Sequence, residues 1–419
     1  MKHAPAFYEA SRAVLLGLAM VVARTAQAYT FEVDTTADLP DDGFGATTCH
    51  TSAGTCSLRA AIMKSNQTGG PNIIHIPDGI YLLTIPPHDL DGDDNGDLNI
   101  SSTVTISGQG AGRTIIDANQ IDRALDIASI VFLSDVTVRN GVQNAGGGIS
   151  NAGFLTITHS VIEGNSANVG GGVFSVGQLD VVGSIIRLNN AQIEGGGLYL
   201  AYYSSVRNST LYGNGASFGG GIEVSALCPF LYVVNSTISG NFANTNGGGI
   251  SGDGPTFLYN TSVVGNDADH DHDAGGGIGG GVYANSGTRF LVVNALIAGN
   301  TVGNTFADNC NGALEAYGMN LLDEREGCTT TTSDLNLGFV SLSTIGSLQD
   351  NGGPTPTHAL LAGSEAIDST IDSLGCVNES GNPLTTDQRG AARVAGARCD
   401  VGAFEFGALV DSIFADGFE

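Results

Sequence analysis

Between residues 146 and 300, apolar and polar residues alternate in short runs such as "FLTITHSVIEG" and "LYVVNSTISG". This is the pattern of strands with one face turned inward. The runs close at Gly-Asn, except for Leu188-Asn189, and glycine triplets lie between them. The triplets begin at 146, 170, 195, 219, 247 and 275, so successive spacings are 24, 25, 24, 28 and 28 residues. Such a period, with strand patterning and no helical periodicity, predicts an all-β solenoid in which each repeat is one coil stacked on the next by parallel strand pairing. A twisted antiparallel sandwich is the less favoured reading, because it would need a hairpin turn after every strand.

Aligned coil by coil, Asn165, Asn189, Asn214, Asn241, Asn266 and Asn300 share one position, and Asn208, Asn235, Asn260 and Asn294 share another six residues earlier. Asparagine tolerates the left-handed backbone of a tight turn, and its amide can bond the amides above and below. Two asparagine ladders at two corners are expected. The sequons at Asn208, Asn235 and Asn260 read as ladder residues preceding a strand rather than as glycosylation acceptors. The glycine triplets serve a further corner, where close approach of backbones leaves no room for a Cβ. From Asn72 to Gly141, "IIHIPDGIYLLTI", "LNISSTVTISG", "TIIDANQIDRALDI" and "FLSDVTVRNG" read as earlier, less regular coils.

At the N-terminal end of that array, Ser57 caps a predicted short helix through "LRAAIMKS", with Leu58, Ala61 and Ile62 on one face. Its expected role is to cover the open edge of the first coil. Ala60 stands where a capping box would place an acid, so the reciprocal bond is absent.

Composition adds a compartment and a charge. Residues 1–28 show basic residues, an apolar run from Ala13 to Val22 and the small-residue site Ala26-Gln27-Ala28, which predicts a secretory signal peptide. Without it, 12 basic and 41 acidic side chains remain, a formal charge of −29. Nucleic acid is thereby excluded as an expected partner, and acidic polysaccharides are repelled unless a divalent cation intervenes. No later segment is apolar enough to span a membrane as a helix. In an exported chain the cysteines predict disulfides, and proximity pairs Cys49 with Cys56, Cys310 with Cys328 and Cys376 with Cys399. Cys228, inside a repeat, reads as a buried small hydrophobe.

The phrases "GGGI" and "TISGN" resemble the repeats of bacterial polymorphic outer-membrane proteins and other secreted right-handed parallel β-helices of the pectate-lyase-like class. The segment "TFEVDTTADLPDDGFGATTCHTSAGTCSLRAAIMKSNQ" resembles the N-terminal part of exported proteins with a CSLREA motif, Ala60 replacing its Glu. Downstream, "LQDNGGPTPTHALLAGSEAID" and "TDQRGAARVAGARCDVGAFE" are similar to a choice-of-anchor Q region. The resemblance implies a right-handed β-helix exposed outside the cell or on its outer membrane. It implies the following organisation: signal peptide 1–28, N-terminal cap 29–71, β-helix 72–310, disulfide-stapled C-terminal region 311–406 and tail 407–419.

Candidate chemistry is sparse. Arg187, Arg207 and Arg289 and the acids Glu163, Glu194 and Glu223 are the residues a polysaccharide lyase or hydrolase would draw on. In "DLDGDDNGDLNI", Asp91, Asp93, Asn95, Gly96 and Asp97 match the first half of a calcium loop, but Ser102 occupies the twelfth position where a bidentate Glu is needed. Calcium is the cation this run would suit, a solvated acidic turn is the preferred reading, and no other cofactor is expected. "DADHDHDA" places His270 and His272 in a loop that lengthens one repeat, a candidate for a transition metal. Asp387, Arg389, Asp400 and Glu405, with His358, make a last cluster, read as structural ion pairs. The function expected is therefore a non-catalytic adhesin or scaffold contacting a polysaccharide or a host or cell surface. The alternative is a groove-acting lyase or hydrolase. The sequence carries no signal for oligomeric state.

Overall fold

The computed structural model describes residues 27–88, 92–272, 276–331, 336–371 and 375–410. The predicted signal sequence to residue 26, Asp91 and the last nine residues lie outside these.

The chain forms an all-β parallel solenoid of the right-handed type, the expected fold class. A representative coil has four short strands: Ile149–Asn151, Phe154–Thr158, Val161–Glu163 and Ser166–Val169. Strands 1 and 2 of successive coils belong to one 20-stranded sheet, strand 3 to an 11-stranded sheet and strand 4 to an 8-stranded sheet. Pairing between coils is parallel and in register, for example Leu155↔Leu179 and Ile162↔Ile186. It starts with Thr30–Glu32 against Ile73–His75 and continues past residue 310 to Leu337–Phe339. Alternate residues of each strand enter a single core, in which Leu155, Ile157, Ile162 and Val173 are fully buried. No helix among the described residues is long and apolar enough to cross a membrane.

The corners explain the glycines and asparagines separately. Between strands 4 and 1 the first glycine of each triplet has positive φ, +66° at Gly195. A Cβ on the next, Gly196, would stand 2.3 Å from the Gly215 carbonyl oxygen and 2.5 Å from that of Gly220. Only glycine fits there. In the lengthened coil the triplet in register is Gly279–Gly281, since Val282 pairs with Ile250. The triplet taken from the sequence as beginning at 275 therefore belongs to an insertion, and the coil spacing from Gly247 is 32 residues.

At the Gly-Asn corner the left-handed residue is the one before the asparagine: Gly164, Leu188, Gly213, Gly240, Gly265 and Gly299. The asparagine itself turns inward and is buried. Its Nδ2 donates to the next asparagine Oδ1 from Asn165 through Asn189, Asn214, Asn241 and Asn266 to Asn300, at 2.8–3.0 Å. The ladder runs one step further, to Asn309 at 2.8 Å. At the corner between strands 2 and 3, Asn208, Asn235, Asn260 and Asn294 do take positive φ, 49° to 53°. Their amides stack only in part: Asn235 Nδ2 bonds Asn208 Oδ1 at 2.7 Å, whereas Asn260 Nδ2 turns to the Val377 carbonyl at 2.8 Å. The continuous ladder at this corner is made by the following serines. The Ser160, Ser184 and Ser209 amides donate to the Ser184, Ser209 and Ser236 hydroxyls, each at 3.1 Å.

Helix Leu58–Thr68 is capped by Ser57, whose Oγ accepts from the Ala60 amide at 3.0 Å. Leu58, Ala61 and Ile62 pack into the core. Three disulfides join Cys49 to Cys56, Cys310 to Cys328 and Cys376 to Cys399, and Cys228 is a buried free thiol.

Beyond the last coil the chain turns back and lies along the strand-3 side of the solenoid. Thr210 Oγ1 donates to the Pro356 carbonyl, Thr237 Oγ1 to Gln388 Oε1 at 2.6 Å, and the Gly402 amide to the Asn294 carbonyl. Leu296, Ala298 and Leu321 share a second core with Leu360, Val401 and Phe404.

Candidate functional site

The outward positions of strand 2 change character along the solenoid. Register aligns Ser205, Tyr232, Phe257, Leu291 and Glu315 in one row. It aligns Arg207, Val234, Tyr259, Val293 and Tyr317 in another. Tyr203 and Phe230 precede the same strands. Ring centroids lie 4.5 Å apart for Tyr203–Phe230 and 5.1 Å apart for both Phe230–Tyr232 and Tyr232–Phe257. A solenoid repeats its backbone about every 4.8 Å, so rings on neighbouring coils meet, here at two adjoining positions, Tyr203 with Phe230 and Tyr232 with Phe257, linked by Phe230 and Tyr232 of one coil. Phe257, Leu291 and Val293 are buried beneath their neighbours, and Phe230, Tyr232 and Tyr259 are half-buried around them. The polar edge is held in place. Arg289 lies over the Phe257 ring at 5.1 Å and bonds Glu315 at 2.9 Å. Ser205 Oγ donates to Asp180 at 2.6 Å.

Such a face is apolar, laterally extended and edged with hydroxyls and carboxylates. Among the described residues, each arginine that sequence reasoning set aside for catalysis is paired. Arg187 bonds Glu163 at 2.7 Å and the Tyr212 hydroxyl at 2.8 Å. Arg207 forms a two-pronged pair with Glu379 at 2.8 and 2.9 Å, and Arg289 is held as described. A guanidinium held by a carboxylate is a poor proton acceptor. The pairing of Arg187 with Glu163 and of Arg289 with Glu315 one coil away, and of Arg207 with Glu379 in the returning C-terminal segment, was missed in the sequence, where the strand-2 and strand-3 positions had not been separated.

Glu223 is the acid whose setting differs most from water. It projects from strand 1 between Tyr199 and Ser251 and is 5% exposed. Its Oε2 has no partner. Desolvation, reinforced by Asp253 and Glu194, pushes its carboxyl up to about 8, against a bond from Ser251. The folded protein therefore keeps a proton that the unfolded chain releases above about 4.5, and stability falls as pH rises from 4.5 toward 8. Glu223→Gln is expected to remove this loss: its denaturation midpoint should exceed that of the wild type by a margin that widens from pH 5 to pH 8. Parallel pH profiles for the two proteins would refute it.

Among the described residues, the side chains of the acidic run have separate partners. Asp97 is buried and paired with Arg123 at 2.6 Å, Asp93 Oδ2 accepts from Asn66, and Asn95 Oδ1 accepts from the His88 amide. Asp91 lies outside the described residues. Calcium there would compete with Arg123 for Asp97. Among the described residues no three His, Cys, Asp or Glu side chains stand together as a metal set.

In the C-terminal cluster Arg389 clamps Asp387 at 2.7 and 2.8 Å under the Phe404 ring. Glu405 accepts from the Ala395 and Asp400 amides. His358 sits apart from these groups, between Ser239 Oγ at 2.8 Å and the Gly346 carbonyl at 2.7 Å. Burial lowers its pKa, so the ring is neutral and donates from Nδ1 to Gly346 while Nε2 accepts from Ser239. All these polar groups are engaged in folding this region or holding it on the solenoid.

No family model matches the chain, and no curated protein matches it. Among solved structures, the A-module of mannuronan C-5 epimerase AlgE6 from Azotobacter vinelandii is similar at 16% identity and a TM-score of 0.35. The match covers 74% of this chain and 97% of that one. A likeness at this score bears on neither activity nor substrate.

Proposed function

We propose that this protein is an exported, surface-exposed scaffold that holds a neutral glycan on its aromatic strand-2 face without cleaving it. The aromatic cluster Tyr203, Phe230 and Tyr232, backed by the buried Phe257, carries the reading. Aromatic rings offer flat apolar area to the C–H faces of sugar rings, while their hydroxyls and the flanking Asp180, Ser205 and Glu315 suit sugar hydroxyls. The net charge and the pairing of Arg187, Arg207 and Arg289 favour a neutral polymer over a uronate. The same pairing disfavours lyase chemistry. The resemblance of both chain ends to CSLREA and choice-of-anchor segments supports attachment at the cell surface.

Tyr232→Ala combined with Phe230→Ala is expected to lower affinity for the bound polysaccharide at least tenfold, since each stacked ring contributes on the order of 1 kcal/mol or more. Affinity electrophoresis in gels containing neutral polymers measures it. Equal retardation of variant and wild type would place the glycan elsewhere.

A further inference from the structure

A cleft near the C-terminal end of the coil array takes no part in the glycan reading. We propose that it is a binding site for a protonated primary amine on a short apolar stem, with Asp308 and Glu326 as anionic partners and Phe306 as the aromatic wall beside the cation.

The walls of the cleft are departures from the repeat. On one side Thr301–Val302 pairs antiparallel with Phe306–Ala307, a hairpin beside coils that pair in parallel. On the other, the disulfide between Cys310 and Cys328 closes the loop that carries Glu326 and Gly327. Between them lies a cleft of about 530 Å³, lined in part by Val302, Phe306, Ala307, Asp308, Asn311 and Glu326. Its lining holds two carboxylates and, among the described residues, no cation.

Asp308 is incompletely satisfied. Its Oδ2 accepts from the Gly279 amide at 2.9 Å, whereas its Oδ1 is buried and has no hydrogen-bond partner. Burial, reinforced by the like charge of Glu326, raises its pKa above the ordinary carboxylate value. Among the described residues neither acid enters an ion pair. A cation with N–H donors supplies the missing bond and the missing charge together. Phe306 is 73% exposed, and a ring so placed can lie against a cation, while Val302 and Ala307 offer apolar surface to the stem. Two acids are too few to enclose a metal ion, which takes more ligands, and no three His, Cys, Asp or Glu side chains gather among the described residues. An ammonium needs only acceptors within hydrogen-bond reach. The proposal stands whether or not the strand-2 face holds a glycan.

The test is calorimetric titration of the full mature chain with pentylammonium, with n-pentanol as the uncharged probe and tetramethylammonium as the cation without N–H donors, all at one ionic strength. A single saturable site is expected for pentylammonium and none for the other two. Asp308→Asn, whose side-chain oxygen can still accept from Gly279, combined with Glu326→Gln should weaken binding about tenfold or more. Phe306→Ala should weaken it about threefold. Glu32→Gln, which removes an exposed acid from the first strand, should leave it unchanged, and thermal unfolding without ligand should show that all variants fold. No saturable binding by the wild type, equal binding of either control probe, or unchanged affinity in the double variant would overturn the assignment.

Discussion

Asn241→Ala is expected to destabilise the protein by about 4 kcal/mol. The reason is that the ladder is buried and each amide is used fully. Asn241 Oδ1 accepts from the Asn214 amide at 3.0 Å and from Asn214 Nδ2 at 2.8 Å, and its own Nδ2 donates to the Leu211 carbonyl at 3.0 Å and to Asn266 Oδ1 at 2.9 Å. Alanine leaves these donors and acceptors without partners in a place that is 1% exposed. Each buried polar group so orphaned costs about 1–3 kcal/mol, and the vacated volume adds to that. Asn168→Ala is the matched control, because its amide bonds Asn144 at an exposed position and should shift stability by about 0.5 kcal/mol or less. Denaturant midpoints measure both. A similar shift for the two variants would contradict a structural role for the inner ladder.

Asp38→Ala is expected to cost about 3–5 kcal/mol and to loosen the N-terminal cap first. Helix Leu58–Thr68 turns Arg59 into the interior, where its side chain has no exposure. Its Nε donates to Asp38 Oδ1 at 2.6 Å and its Nη2 to the Gly96 carbonyl at 2.8 Å. Asp38 Oδ2 also accepts from the Thr84 and Ile85 amides at 2.7 and 3.1 Å. Removing the carboxylate strands a buried guanidinium and two backbone donors together, the situation in which a lost ion-pair partner is most costly. Hydrogen exchange should show faster opening of residues 58–68, with the central coils unchanged. Unaltered protection there would mean the cap does not depend on this pair.

The coil was legible in the sequence because its signals repeat: alternation gave strands, glycine triplets gave a corner, and recurring asparagines gave a second. Which residue bends the chain at Gly-Asn was less legible, since glycine and asparagine both tolerate positive φ and spacing alone does not divide the work. Leu188 at φ 55° shows that an ordinary residue can take the bend, whereas none of the inner asparagines does. The serine ladder went unread because serine is common in loops; its signal was the constant place of Ser184, Ser209 and Ser236 directly after a left-handed residue. Arg59 and Lys64 are both buried against Asp38 and Asp41, partners some twenty residues away whose approach no local pattern reveals. The aromatic face was hidden for a related reason. Tyr203, Phe257 and the pair Phe230 and Tyr232 lie in three different repeats, and only the register between coils brings them together.

The most direct test of a glycan-holding, non-cleaving face is to incubate the mature protein with neutral and acidic polysaccharides and follow both retention and polymer length in the same samples. Retention of a neutral polymer at constant length, lost on Phe230→Ala with Tyr232→Ala, is the predicted result. Shortening of any polymer, or retention that survives both substitutions, would contradict it.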